Sequence, residues 1–237
     1  MSAGFWDRTA ERYAARPMSD TASYEAMLER VRHWLRPAMQ VLELGCGTGA
    51  TAERLAGDVS QFTASDFSAE MIRIAERRRE AANLRFLCAD VGEALDGGRY
   101  DAVMAFNLLH LLDDLEGCLS QVHAALGEGG LFLSKTPCVA GKWYLWPAVR
   151  VLQALGKVPP VHFLRPAQLE TAIREAGFDI LETGGYPAKL PNHFVVARKR
   201  PAQPDRTRQG GATCPNCPPS EAAAAAPFRS RSRPRRS

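Results

Sequence analysis

Residues 41–50 read VLELGCGTGA, and a second acid, Asp66, closes the segment QFTASD at residues 61–66. An apolar run leads into Gly45, Gly47 and Gly49, spaced at every second position. Glycine has no Cβ, so it takes positive φ without strain and lets a ligand lie against the main chain. Residues 39–44 therefore read as a buried strand, and residues 48–55 as a helix that points free N–H groups back at the loop. In a doubly wound sheet Asp66 then stands beside that loop, where a carboxylate accepts from both hydroxyls of a ribose. The stretch describes a backbone cradle for a nucleoside cofactor.

Two cofactors compete for this pattern. Gly45, Gly47 and Ala50 also satisfy G-x-G-x-x-A, and an acid about 20 residues further on fits an NAD site. Glu43, two residues before Gly45, separates the readings together with the extra Gly49. A carboxylate beside the loop repels a diphosphate. On these residues the chain resembles the class I S-adenosylmethionine (SAM) methyltransferases of small molecules, whose first cofactor motif is E/D-x-G-x-G-x-G. The resemblance implies SAM as cofactor, held by Glu43, Gly45, Cys46, Gly47 and Gly49, with Asp66 and the adjoining Phe67 on the ribose side.

The same resemblance runs over nearly all of residues 5–198. LRFLCA, residues 84–89, reads as a third strand ending at Asp90. There the family implies that Asp90 receives the adenine amino group and that the backbone of Val91 faces the ring. YDAVMAF, residues 100–106, follows a Gly97-Gly98 turn and reads as the fourth strand; its exit, Asn107-Leu108-Leu109-His110, matches the segment beside the methionine half of the cofactor. The fold implied is α/β, a Rossmann-like doubly wound sheet of seven strands in the order 3-2-1-4-5-7-6, with strand 7 antiparallel and helices on both faces.

Punctuation along the chain supports alternating strands and helices. Ser19-Asp20-Thr21 opens a helix running to about Leu35, which Arg36-Pro37 ends because proline disfavours helix in the residue before it. Ser68 is placed to cap a helix over 69–82, and residues 113–126 read as the helix before a fifth strand at 130–136. Pro166 and Gly177 bracket a helix over 167–176, and residues 178–183 and 192–198 supply the last two strands.

Structural readings stand beside the functional ones. Glu43 is also a strand-end carboxylate able to cap a helix, and Asp66 could serve only the positive end of the helix behind Ser68. Aspartate between strand and loop, as at Asp90, is common. His110 sits in LLHLL and reads equally as a packed core residue.

Composition bounds the rest. With 237 residues and 46% hydrophobic, the chain can bury one substantial core. No apolar run approaches the roughly 20 residues of a membrane span, and no leader pattern opens the chain, so a cytoplasmic protein is expected. Cys46, Cys88, Cys118 and Cys138 are scattered singly, as in a reducing compartment. Residues 200–237 carry eight arginines against Asp205 and Glu221, a surplus of six; with +4 for the whole chain, residues 1–199 stand at −2. The basic field thus belongs to a tail rich in Pro, Ala, Ser and Arg that is expected to stay disordered, and specific nucleic-acid binding gains no support. Within it Cys214 and Cys217 have knuckle spacing but no partner pair, so no metal is expected. The domains read as 1–36, an N-terminal cap segment and helix; 37–199, the cofactor-binding domain; and 200–237, the tail.

Two segments bear on the substrate. FWDRTAERYAARP, residues 5–17, precedes the first core helix; similar segments in small-molecule methyltransferases fold over the cofactor with a tyrosine near its carboxylate, a role that falls to Tyr13, although an ordinary amphipathic turn fits as well. Residues 137–165 contain Trp143, Tyr144, Trp146, Val149, Val151, Leu152, Leu155, Val158 and Phe163. A long apolar connection at the ligand edge of the sheet is a lid over a hydrophobic or aromatic small substrate, a helix covering the sheet, or a dimer contact. Lys142, Arg150 and Lys157 also permit peripheral membrane contact through 142–157.

The expected chemistry is methyl transfer to O, N or C of a small apolar or aromatic molecule. A protonated nucleophile needs a general base, and His110 is the first candidate with His162 the second. An NAD-linked oxidoreductase and a non-catalytic SAM-binding regulatory protein are the alternatives. The acceptor and the oligomeric state are not encoded in any motif of the chain.

Overall fold

Apolar runs of four to seven residues alternate with amphipathic stretches, and that alternation builds a parallel sheet with helices on its faces. The computed structural model describes residues 3–17, 20–138, 140, 151, 153, 158–186 and 191–201. In chain order these form α1 (Ala3–Ala15), α2 (Thr21–Trp34), β1 (Gln40–Leu44), α3 (Ala50–Leu55), β2 (Gln61–Asp66), α4 (Ala69–Arg77), β3 (Leu84–Cys88), α5 (Val91–Leu95), β4 (Tyr100–Phe106), α6 (Leu115–Ala125), β5 (Leu126–Pro137), α7 (Pro166–Glu175), β6 (Phe178–Gly184) and β7 (Asn192–Lys199). One sheet holds all seven strands in the order β3-β2-β1-β4-β5-β7-β6. Neighbours among β1 to β5 run parallel, and β7 is antiparallel to both β5 and β6. This is the architecture expected from the sequence.

The central strands alternate their side chains between two cores. Leu42, Leu44, Val103, Ala105 and Phe132 meet α5, α6 and α7 on one face; Val41, Phe62, Ala64, Met104 and Leu133 meet α2, α3 and α4 on the other. Strands covered on both faces lose the polar alternation of a half-exposed sheet, so β1 and β4 read as nearly continuous apolar runs. Strand order reverses between β1 and β4, and their carboxyl ends diverge there to leave a crevice.

Several helix ends differ from the sequence reading. Helix α4 stops at Arg77 rather than Ala82 because the Glu53 carboxylate captures the N–H groups of Glu80 and Ala81, at 3.1 and 2.9 Å. Helix α3 begins at Ala50 because Gly49 turns left-handed at φ 78°. Helix α6 begins at Leu115, capped by Asp114, which accepts from the Gly117 N–H at 2.8 Å. The caps expected from Asp20 and Ser68 are in place. Residues 5–17 lie largely within a helix, α1, that packs Ala10, Trp6 and Ala14 against Met71 and Ile74 of α4. Residues up to Pro201 form one compact unit; the tail, with Cys214 and Cys217, lies outside the described residues. So does most of 137–165, including Trp143, Tyr144, Trp146, Val149, Leu152 and Leu155, and with it the basic residues of 142–157. No helix among the described residues is long and apolar enough to cross a membrane.

Phe132 of β5 is fully buried, with its ring 5.7 Å from that of Phe178. Phe132→Ala is expected to cost about 3–5 kcal/mol of stability, read as a lower midpoint in urea denaturation.

Candidate functional site

The loop after β1 holds three left-handed glycines in alternation, Gly45, Gly47 and Gly49, at φ 66°, 56° and 78°. Residues with a Cβ are strained in that region, which is why the sequence spends glycine there. The loop is pinned from the side by Asp66 at the end of β2. One carboxylate oxygen accepts from the Gly47 N–H and the other from the Ser68 N–H, both at 2.9 Å, while the Cys46 N–H donates to the Ser65 carbonyl at 2.8 Å.

Glu43 stands behind the same turn with only 3% of its surface exposed, and its Oε2 is buried without a hydrogen-bond partner. Burial, followed by the charge of Asp66, pushes its carboxyl up to about 8. Asp66 is raised as well, chiefly by burial and against the two N–H groups that favour its charge. An unpartnered buried acceptor calls for a donor from elsewhere.

Two adjoining cavities open at this end of the sheet. The larger, about 640 Å³, is lined by Tyr13, Glu43, Gly45, Cys46, Gly47, Asp66, Phe67, Asn107 and His110. The second, about 520 Å³, shares Gly45, Asp66 and Phe67 and adds Asp90 and Val91. The residues singled out in the sequence therefore converge, with one correction. Gly49 lines neither cavity: a Cβ there would stand 2.6 Å from the Phe86 ring and 3.0 Å from Ala75, so this glycine is required by packing behind the loop. Gly47 does face the cavity, where a Cβ would meet only the Tyr13 ring, at 3.8 Å. Tyr13 rides on α1 and is half exposed.

Asp90 has a structural task as well. Its Oδ1 caps α5 by accepting from the Glu93 N–H at 2.9 Å, and Glu93 returns the contact to the Asp90 N–H at 3.1 Å. Asn107, at φ 56°, is the one non-glycine residue with positive φ among those described, and its N–H donates to the Lys135 carbonyl at 2.7 Å. The Cys46 thiol is pushed well up by burial, so it stays protonated.

His110 follows β4 and is half-buried, with Nδ1 enclosed and without a partner. Burial first, then the neighbouring His162, lowers its pKa to about 4, so the ring is neutral at neutral pH. The His162 ring instead lies outside the cavity, 3.4 Å from Asp113, while the His162 backbone N–H donates to the His110 carbonyl at 2.7 Å. Sequence reasoning missed Lys135, Tyr24 and Thr51, which also line the larger cavity; the Tyr24 and Thr51 hydroxyls meet at 3.0 Å. Lysine in the apolar strand LFLSKTP was the available signal for the first.

A bare turn flanked by two desolvated acids, at the switch point of this sheet, suits a ligand that brings hydroxyl donors and positive charge. Whatever charge these acids carry repels the diphosphate of a dinucleotide. A family model described as a methyltransferase domain matches residues 41–130. Malonyl-[acyl-carrier protein] O-methyltransferase of Bacillus cytotoxicus is 34% identical over 101 residues, 42% of this chain and 35% of that protein. Ubiquinone biosynthesis O-methyltransferase of Coxiella burnetii (strain RSA 331 / Henzerling II) is 28% identical over 168 residues, 67% of this chain and 71% of that one. The chain thus spans about a third of the length of the first of these relatives. Among solved structures, the DhpI–SAH complex superposes with a TM-score of 0.67 at 24% identity, covering 84% of this chain and 95% of the other. Over residues 41–130 the chain therefore carries a methyltransferase domain, with SAM the cofactor that such a domain implies, and it shares the fold of a methyltransferase-like protein solved with SAH.

Asp66→Asn keeps the shape but removes the charged acceptor, and is expected to weaken binding of S-adenosylhomocysteine (SAH) roughly tenfold or more by calorimetric titration. Glu43 yields a pH signature in the ligand-free protein. Its folded pKa near 8 exceeds its ordinary 4.5, so the folded state holds the extra proton between those values. The stability this brings is full below the lower value and is lost as pH rises toward the upper. Glu43→Gln is expected to flatten that fall, read as urea midpoints across the window.

Proposed function

We propose that the protein transfers the methyl group of SAM to a small molecule with an apolar body, at an oxygen in preference to nitrogen or carbon. The observation that carries this is the orphaned, buried Glu43 carboxylate beside the bare Gly45–Gly47 turn. When bound, SAM supplies a methyl group already activated by its sulfonium charge. What the chain must add is grip, alignment and, where the nucleophile is protonated, a base.

Asp66 takes the ribose hydroxyls, and Phe67, Asp90 and Val91 form the walls for adenine in the smaller cavity. Tyr13 and Asn107 flank the methionine end of the larger one, whose far side is apolar at Phe106, Leu111, Pro137, Val158 and Val161. That wall favours an apolar acceptor and excludes water from the approach. Both named relatives are O-methyltransferases, which favours oxygen as the accepting atom. His110 is the general base: its ring lines the cavity and is neutral at neutral pH, so it can accept a proton, and its lowered pKa makes it a weak base suited to an acceptor that is already acidic.

The function is tested with radiolabelled SAM against phenols, carboxylic acids and amines with apolar bodies; transfer to none of them, with SAH still bound, would favour the non-catalytic reading. His110→Ala is expected to lower kcat roughly a hundredfold or more while SAH affinity holds. An unchanged kcat would remove the base assignment.

A further inference from the structure

Strand β5 carries a lysine where the residues around it are apolar or small. Lys135 lies near the carboxyl end of β5, paired with Phe106 on β4 and Phe194 on β7. Alternation along the strand turns it toward the face of Leu133 and Phe194, the same face as Glu43 on β1, and it lines the larger cavity. Its backbone is fixed, because its carbonyl accepts from the Asn107 N–H.

The ammonium is half-buried, and among the described residues no carboxylate pairs with it; burial alone lowers its pKa. Lysine is rarely drawn inside a protein without a partner, since a desolvated charge is costly unless compensated. Among the described residues lining this cavity it is also the sole Lys or Arg. The acids Glu43 and Asp66 belong to β1 and β2, whereas Lys135 stands on β5, beyond β4. Charge among the described lining residues is thus divided, with the carboxyl groups of Glu43 and Asp66 on the β1 and β2 side and the Lys135 ammonium on the β5 side. Between them Phe106, Val158 and Val161 keep the wall apolar.

We propose that Lys135 binds an anionic oxygen group, a carboxylate or a phosphate, carried by the apolar methyl acceptor. This rests on the methyl-transfer reading above and narrows its substrate class from neutral hydrophobes to amphiphilic anions. The lysine anchors the acid group by a charge-assisted hydrogen bond, and the apolar wall takes the body.

The test is calorimetric titration of the full chain, with and without SAH, using benzoate, phenyl phosphate and the neutral benzyl alcohol. At least one anion is expected to bind roughly tenfold or more tighter than the alcohol, the gain of one charged hydrogen bond. Lys135→Met keeps the length and apolar stem and is expected to abolish that preference with SAH affinity unchanged, while Lys135→Arg retains it. Thermal unfolding checks that both variants fold. Equal binding of all three probes, no binding of either anion, or a preference that survives in Lys135→Met would overturn the assignment, as would a tenfold loss of SAH affinity in that variant, which would put the lysine at the cofactor. Failure of SAH to bind the wild type would instead bring down the cofactor reading, and the anion preference measured without SAH still decides the role of the lysine.

Discussion

The carboxylate of Asp66 is the joint on which the site is assembled. By accepting from the Gly47 N–H with one oxygen and the Ser68 N–H with the other, it ties the turn after β1 to the start of the helix after β2. Two connections that are distant in sequence become one surface. The same Ser68 caps α4 through its hydroxyl and reaches Asp7 of α1 at 2.6 Å, so a single polar chain links the sheet, α4 and the N-terminal helix. Burial makes this joint strong, because a charge-assisted hydrogen bond gains when water is excluded.

Desolvation also sets the electrostatic character of the crevice. Glu43 and Asp66 are both raised by burial. A ligand that brings cations and hydroxyl donors relieves that cost, which makes the acidic crevice a discriminator as much as a binder. The neutral ring of His110 and the ammonium of Lys135 line the same cavity, and among the described residues neither has an acidic partner.

Much of this was legible in the chain. The strands that line the crevice were readable because two-face burial leaves unbroken apolar runs, and the glycine spacing with Glu43 and Asp66 marked the loop. Caps at Asp20 and Ser68 were local and therefore visible. What escaped depends on contacts across many residues. The end of α4 is set by Glu53, more than 20 residues earlier, and Gly49 is demanded by the Phe86 ring rather than by a ligand. Asp90 reads as a site residue because it lies at a strand exit, yet its carboxylate also closes a capping box with Glu93. Lys135 and Tyr24 carry no motif; only the sheet order and the packing of α2 bring them to the cavity.

The N-terminal helix is held differently from everything else around the crevice. It buries only Ala10 fully, packs Trp6 and Ala14 partly against α4, and adds the Asp7 contact and the exposed pairing of Glu11 with Arg73 and Arg77. Exposed pairs of this kind contribute about 0–1 kcal/mol each and fade with added electrolyte. Ionic strength therefore acts on this one element before it touches the sheet. Because Tyr13 travels with α1, the roof over Gly47 is fastened by salt-sensitive ties, whereas the floor beneath it is built from carboxylates that dissolved ions scarcely reach.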